Sequence, residues 1–187
     1  MSKRRVRIVL LCEDSQHEAF VRRFLKGMGW ETGEIRVEKS PVASGSAEQW
    51  VRERFTQELK AYRNRATRAA SALVAVIDAD IKDLQDRIDE FRFECTKKNI
   101  EFRHNNENVA FAIPKRNIET WIRFLEGVTV DENGDYPKLQ NKRECKTAVS
   151  NLVRICKTTG LLEDALSSLK YACNEYTFYI KPLQNQN

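Results

Sequence analysis

Two observations on this sequence predict an α/β fold, with a central, mainly parallel sheet and helices on both of its faces. Short apolar runs rich in β-branched residues occur at 6–12, 72–77 and 109–113, and runs of this kind read as buried parallel strands. Stretches with helical spacing of apolar residues separate them, so strand and helix patterns alternate at least three times along the chain.

After the first strand, Asp14 or Ser15 is placed to cap a helix starting near Gln16, with Ala19, Phe20, Phe24 and Leu25 as its apolar stripe. Gly27, Gly29 and Gly33 break that helix. Residues 34–42 alternate enough, through Ile35 and Val37, for a weak second strand. A turn at Ser44–Gly45–Ser46 follows, and Ser46 with Gln49 predicts a capping box. The next helix carries Trp50, Val51, Phe55, Leu59 and Tyr62 on one face. Beyond the strand at 72–78, Leu84, Ile88, Phe91, Phe93 and Cys95 predict an amphipathic helix. Pro114 closes the fourth strand, and a short helix over 118–125 buries Trp121, Ile122 and Leu125. Residues 131–137 read as a loop, helices are expected around 142–157 and 161–173, and the tail 184–187 should fray. Residues 1–130 are thus expected to form the α/β domain, and 131–187 a helical C-terminal extension packed on the same core.

The composition is that of a soluble globular chain of ordinary domain size: 187 residues, 41% hydrophobic and 32% charged. No apolar stretch approaches the roughly 20 residues needed to span a bilayer. The basic start is followed by too short an apolar run, without a small-residue cleavage site, for a secretory signal, so a cytoplasmic location is expected. Cys12, Cys95, Cys145, Cys156 and Cys173 show no CxxC spacing and read as small hydrophobes; with only His17 and His104 beside them, a zinc site is not expected.

The first and third strands end in acid. Glu13 follows Cys12, with Glu18 five residues on; Asp78 and Asp80 follow Ile77. Ligands of open α/β sheets sit outside the carboxyl ends of the strands, so these carboxylates should gather at one edge. Unpaired carboxylates repel unless a cation neutralises them, and oxygen ligands suit Mg²⁺ or Mn²⁺. In an extended segment Asp78 and Asp80 would point to the same side, so one ion could bridge them or two ions could share them. Glu119, just after the fourth strand, either joins them or pairs with Lys115 or Arg116; those two bases could instead meet phosphate oxygens. The net charge of +5 is a weak pointer to polyanions. Its distribution says more: Arg52, Arg54, Lys60, Arg63, Arg65 and Arg68 face only Glu53 and Glu58 on the same helix, and a second basic group comprises Lys138, Lys142, Arg143, Lys146, Arg154 and Lys157. For both groups the plain alternative is a solvated helix face.

Three stretches together carry a resemblance: Leu11–Cys12–Glu13–Asp14–Ser15–Gln16–His17–Glu18–Ala19–Phe20, Val76–Ile77–Asp78–Ala79–Asp80, and Ile113–Pro114–Lys115–Arg116–Asn117–Ile118–Glu119–Thr120–Trp121. In this order they resemble a Toprim domain, nearest to small Toprim proteins of the RloB and OLD-nuclease type, over residues 6 to about 125. The chain departs from that pattern at Asp14, where the family usually has Gly. The resemblance implies metal roles for Glu13, Glu18, Asp78, Asp80 and Glu119, phosphodiester chemistry with one or two Mg²⁺ (or Mn²⁺) ions, and a place in bacterial anti-phage defence or repair. It also implies an ATPase of the ABC/OLD type, which would be a separate subunit because no Walker A sequence occurs here; a homo-oligomer is compatible with it.

The expected function is therefore a metal-dependent nuclease. Glu13 is the candidate base by analogy, with His17 second, and Lys115 or Arg116 would offset charge in the transition state. Arg52, Lys60, Arg63, Arg65 and Arg68 would track the nucleic-acid backbone. A non-catalytic effector or binding subunit with a degenerate site is the first alternative. A receiver-like domain phosphorylated on Asp78 is the second, weakened by the absence of a Gly-rich phosphate loop.

Overall fold

Every side chain of strand β1 (Ile8–Cys12) is buried, which a strand achieves only in the middle of a sheet covered on both faces. In the computed structural model, which describes residues 6–41, 46–158, 160–161 and 163–185, β1 is flanked by β2 (Ile35–Lys39) and β3 (Ala72–Val76), and β4 (Val109–Ala112) forms the far edge. The order is β2-β1-β3-β4 and all three pairings are parallel. The basic start at 1–5, the expected turn at 44–45 and the end of the tail at 186–187 lie outside the described residues.

Alternation along the strands divides the core in two. Ile8, Leu10, Cys12, Val74 and Val76 face α1 (Ser15–Gly27), α4 (Ile118–Leu125), α5 (Lys146–Lys157) and α6 (Ser167–Glu175). Val9, Leu11, Leu73, Ala75 and Phe111 face α2 (Ala47–Ala66) and α3 (Leu84–Lys97). On this second face Phe55, Phe91 and Phe111 pack together with ring centroids 4.9–5.3 Å apart. On the first, the Trp121 indole N–H donates to Ser168 Oγ at 2.8 Å, so α6 satisfies the one polar atom of a fully buried ring. The helices after residue 131 share the core of α1 and α4. Among the described residues no helix is long and apolar enough to cross a membrane.

Some local expectations are corrected. Phe93 is 63% exposed, because the buried stripe of α3 repeats at 88, 91 and 95 and Phe93 falls off it; its ring carries the Lys97 ammonium instead. Ser46 precedes α2 but makes no side-chain cap bond, and Gln49 donates to Glu53 rather than closing a box. The last helix starts at Ser167, not 161. Its first amides donate to the carboxylate of Glu132, at 3.2 Å from Ser167 N and 2.8 Å from Ser168 N, so a residue 35 positions away fixes the start of the helix.

The connection from β1 through α1 leads to β2 on one side, and the one through α2 leads to β3 on the other. The carboxyl ends of β1 and β3 therefore flank the point where the winding reverses, the place where open α/β sheets form a crevice. Glu13 and Asp78 stand there.

Candidate functional site

Glu13 is fixed against the end of β3: its Oε1 accepts the amide N–H of Asp78 at 2.7 Å. Asp14 caps α1, accepting from the amides of Gln16 (2.8 Å) and His17 (2.9 Å). The residue that departs from the family pattern is thus used to start the helix. That start sets His17, 1% exposed, between the two strand ends, with its Nε2 donating to Asp78 Oδ1 at 2.9 Å and its Nδ1 3.8 Å from Asp14.

The electrostatics follow from this packing. Burial works against a charged imidazole, but Asp78, Asp14 and Glu13 around it prevail and push His17 up to about 10. Burial pushes the Glu13 carboxyl up to about 7; Asp78 and Asp80 add to this, and His17 offsets only part of it. Burial and Asp78 also raise Glu119, and burial and Asp78 raise Asp80. One enclosed cation, His17, therefore sits among more negative charge than it can balance.

A stability signature is expected. Because the folded chain holds the Glu13 proton more tightly than the unfolded chain, stability falls as pH rises from about 4.5 to about 7. The loss is complete above that window. Glu13→Gln keeps the acceptor for the Asp78 amide and leaves His17 its other two carboxylates. It should stabilise the metal-free protein by on the order of 1–3 kcal/mol at pH 8 and hardly at all at pH 4.5. Urea midpoints at both pH values check this; an equal gain at both would show that the carboxyl is not raised.

The other expected site residues distribute unevenly. Glu119 is buried in the first turn of α4, close enough to Asp78 to feel its charge, and accepts from the Leu139 amide at 3.4 Å. It does not pair with Lys115 or Arg116, so that alternative is corrected; Lys115 bonds to Asp83 at the start of α3. Arg116 has no ion pair among the described residues and lies near enough to Asp80 to lower its proton affinity. Asp80 has φ +54°, in the left-handed region, and its carboxylate meets Arg87 at 2.9 Å. The segment is not extended there, and the expected alignment of Asp78 with Asp80 is corrected. Glu18 turns to the β2 side, where Lys39 (3.0 Å) and Arg22 (3.4 Å) hold it, whereas Glu13 turns to β3.

Lys138, which the sequence places only within a general basic group, reaches back over the edge from the loop after α4. Its ammonium is 3.5 Å from Asp14, and although burial works against its charge, Asp14, Asp78 and Glu119 raise its proton affinity. Nothing in local spacing could have placed it. The α2 expectation changes in the other direction. Arg52 pairs with Glu48 (3.6 Å) and Glu90 (3.3 Å), Arg63 with Glu107 (2.6 Å), and Arg65 lies 3.8 Å from Glu58. Lys60 is exposed on the same helix, and Arg68 follows it in an exposed turn. Glu90 of α3, Glu107 of the loop before β4, and Glu48 and Glu58 of α2 itself meet three of the arginines that look in sequence like a row of free cations.

Among the described residues no three His, Cys, Asp or Glu side chains meet as a set that could hold a metal ion. Of the five expected acids only Glu13 and Asp78 are adjacent at the strand ends; Asp80 adds its charge to Glu13, and Glu119 feels that of Asp78. Such a pair does not suit zinc, but it fits Mg²⁺, which is commonly held by one or two carboxylates, with waters and substrate phosphates completing the octahedron. No known protein family, curated protein or solved structure matches the chain.

Proposed function

We propose that this protein is a Mg²⁺- or Mn²⁺-dependent phosphodiesterase acting on nucleic acid, of the Toprim type that its motifs resemble. The observation that carries this reading is the Glu13–Asp78 pair at the reversal point of the sheet, where burial, with Asp78 and Asp80 adding to it, holds the Glu13 carboxyl up to about 7 and His17 offsets only part of that. Glu13 and Asp78 would hold the ion, which supplies Lewis acidity to the scissile phosphate and the attacking water. His17 keeps the Asp78 carboxylate in one orientation through its bond to Oδ1. Arg116, which makes no ion pair among the described residues, is the cation available to phosphate oxygens; Lys138 would have to leave Asp14, 3.5 Å away, and Lys115 would have to leave Asp83. By the same resemblance we assign the chain to bacterial defence or repair beside a separate ATPase.

The lack of a three-carboxylate set among the described residues favours a second reading, a non-catalytic binding subunit. Incubation of plasmid, linear DNA and tRNA with Mg²⁺, Mn²⁺ or EDTA, together with Mn²⁺ calorimetry, separates the two. Cleavage in Mn²⁺ but not in EDTA supports the nuclease. Mn²⁺ uptake without cleavage selects the binding subunit, and the absence of both removes the metal from the account.

A further inference from the structure

Cations that acids leave unmatched cluster not on α2 but on the opposite face of the sheet, between α1 and α5. A groove of about 680 Å³ there is lined by Arg23 and Gly27 of α1, by Arg143, and by one face of α5 at 146, 149, 150 and 153. Gly27 lets the two helices come this close: a Cβ at that position would stand 2.6 Å from Val153 Cγ2. A second depression of about 270 Å³ shares Arg23 and extends along α1 past Arg22, Lys26 and Lys142 to Glu18 and Ser15.

The two depressions together are lined by six cations, Arg22, Arg23, Lys26, Lys142, Arg143 and Lys146, and one acid, Glu18. Glu18 is already balanced by Lys39 and Arg22. Among the described residues Lys26, Lys142, Arg143 and Lys146 make no ion pair. The Arg23 guanidinium is fixed by the Lys142 carbonyl at 2.5 Å and by Cys145 Sγ at 3.0 Å, both uncharged. It is held in place with its charge intact. The contrast with α2, where glutamates meet the arginines, is a difference in geometry rather than in composition. The second depression ends at Ser15 and Glu18, in the first turn of α1, on the β2 side of the acidic edge.

We propose that the groove between α1 and α5 binds the sugar–phosphate backbone of nucleic acid and leads it to the carboxylates at the ends of β1 and β3. This rests on the reading of the chain as acting on nucleic acid. A row of cations of this kind recognises phosphates without base contacts, so binding should be indifferent to sequence and steeply dependent on salt.

The test is fluorescence anisotropy with short labelled single-stranded DNA, duplex DNA and RNA of mixed sequence, in EDTA so that metal plays no part. In Arg143→Glu/Lys146→Glu, two exposed positions, affinity should fall at least about tenfold at 0.1 M salt, and the slope of log Kd against log salt should flatten by about 0.7–0.9 for each phosphate that the variant no longer neutralises. Lys98→Glu, an exposed position at the C-terminal end of α3 on the other face of the sheet, should leave both unchanged. Unaltered affinity and slope in the groove variant would overturn the proposal, as would wild-type protein that binds none of the three probes, even if it cleaves in Mn²⁺. Stronger retention by phosphatidylserine vesicles than by any oligonucleotide, lost in the same variant, would also overturn it, in favour of a membrane surface. Binding through the groove without cleavage in Mn²⁺ would leave the groove standing and remove the nuclease.

Discussion

On the proposed function, Asp78→Asn should lower cleavage in Mn²⁺ by roughly 100-fold or more, because Asp78 would be one of two carboxylates holding the ion and its loss would remove several kcal/mol of transition-state stabilisation. The fold should survive. The asparagine carbonyl can still accept the bond from His17 Nε2, and the backbone amide that holds Glu13 is unaffected. His17 loses its strongest charge partner and should titrate lower, which histidine tolerates by releasing its proton. Asp89→Asn makes the same change of charge on the exposed side of α3, where Asp89 touches only Arg92 and Gln85; it should cleave at the wild-type rate. Glu119→Gln is expected between the two, since Glu119 is coupled to Asp78 by charge and its carboxylate accepts from the Leu139 amide. Cleavage rates of the three variants in Mn²⁺, with melting curves to confirm folding, decide the matter. A fully active Asp78→Asn would sink the metal site.

The strands and the acidic edge were legible because both are local signals. The short apolar run Ala72–Leu73–Val74–Ala75–Val76–Ile77, set between helical patterns, reads as a buried strand, and the acid directly after it, Asp78, emerges at the carboxyl end. What failed to be legible depends on residues far away in sequence. The charge of Arg63 is cancelled by Glu107, 44 positions later, and Arg52 meets Glu90 across the α2–α3 interface. Glu132 starts α6 from a loop, and Lys138 reaches Asp14 from the same region. Spacing alone also could not tell that Asp80 turns into the left-handed region, because Asp accepts both conformations. Glu18 follows Glu13 by five residues, yet the end of β2 supplies Lys39 and takes it out of the acidic pair. Sequence thus placed Glu13 and Asp78 at one edge of the sheet, while the partners of these residues emerged only from the packing.

The largest effect on stability is expected at a pair that no motif announces. β4 is the edge strand, and the outward groups of Val109 and Phe111 would be open to solvent or to another strand. Arg103 donates to the Val109 carbonyl at 2.8 Å, and Glu175 of α6 accepts the Phe111 N–H at 2.9 Å. The two side chains also join each other, through a short Nη1–Oε2 contact and a second at 3.2 Å, and the guanidinium lies over the rings of Phe111 and Tyr179. Glu175→Ala would leave a largely buried arginine without its partner and the edge N–H unmet, which should cost about 3–5 kcal/mol. Glu175→Gln keeps an acceptor for Phe111 and should cost less. Arg103→Met/Glu175→Leu removes both charges together and should recover part of the loss, but not all of it, because the Val109 and Phe111 backbone groups stay orphaned. Urea unfolding of the three variants measures each step, with size-exclusion chromatography to detect strand addition at the uncovered edge. A loss below about 1 kcal/mol in Glu175→Ala would place the pair among ordinary surface ion pairs and leave the protection of this edge to α6 packing alone.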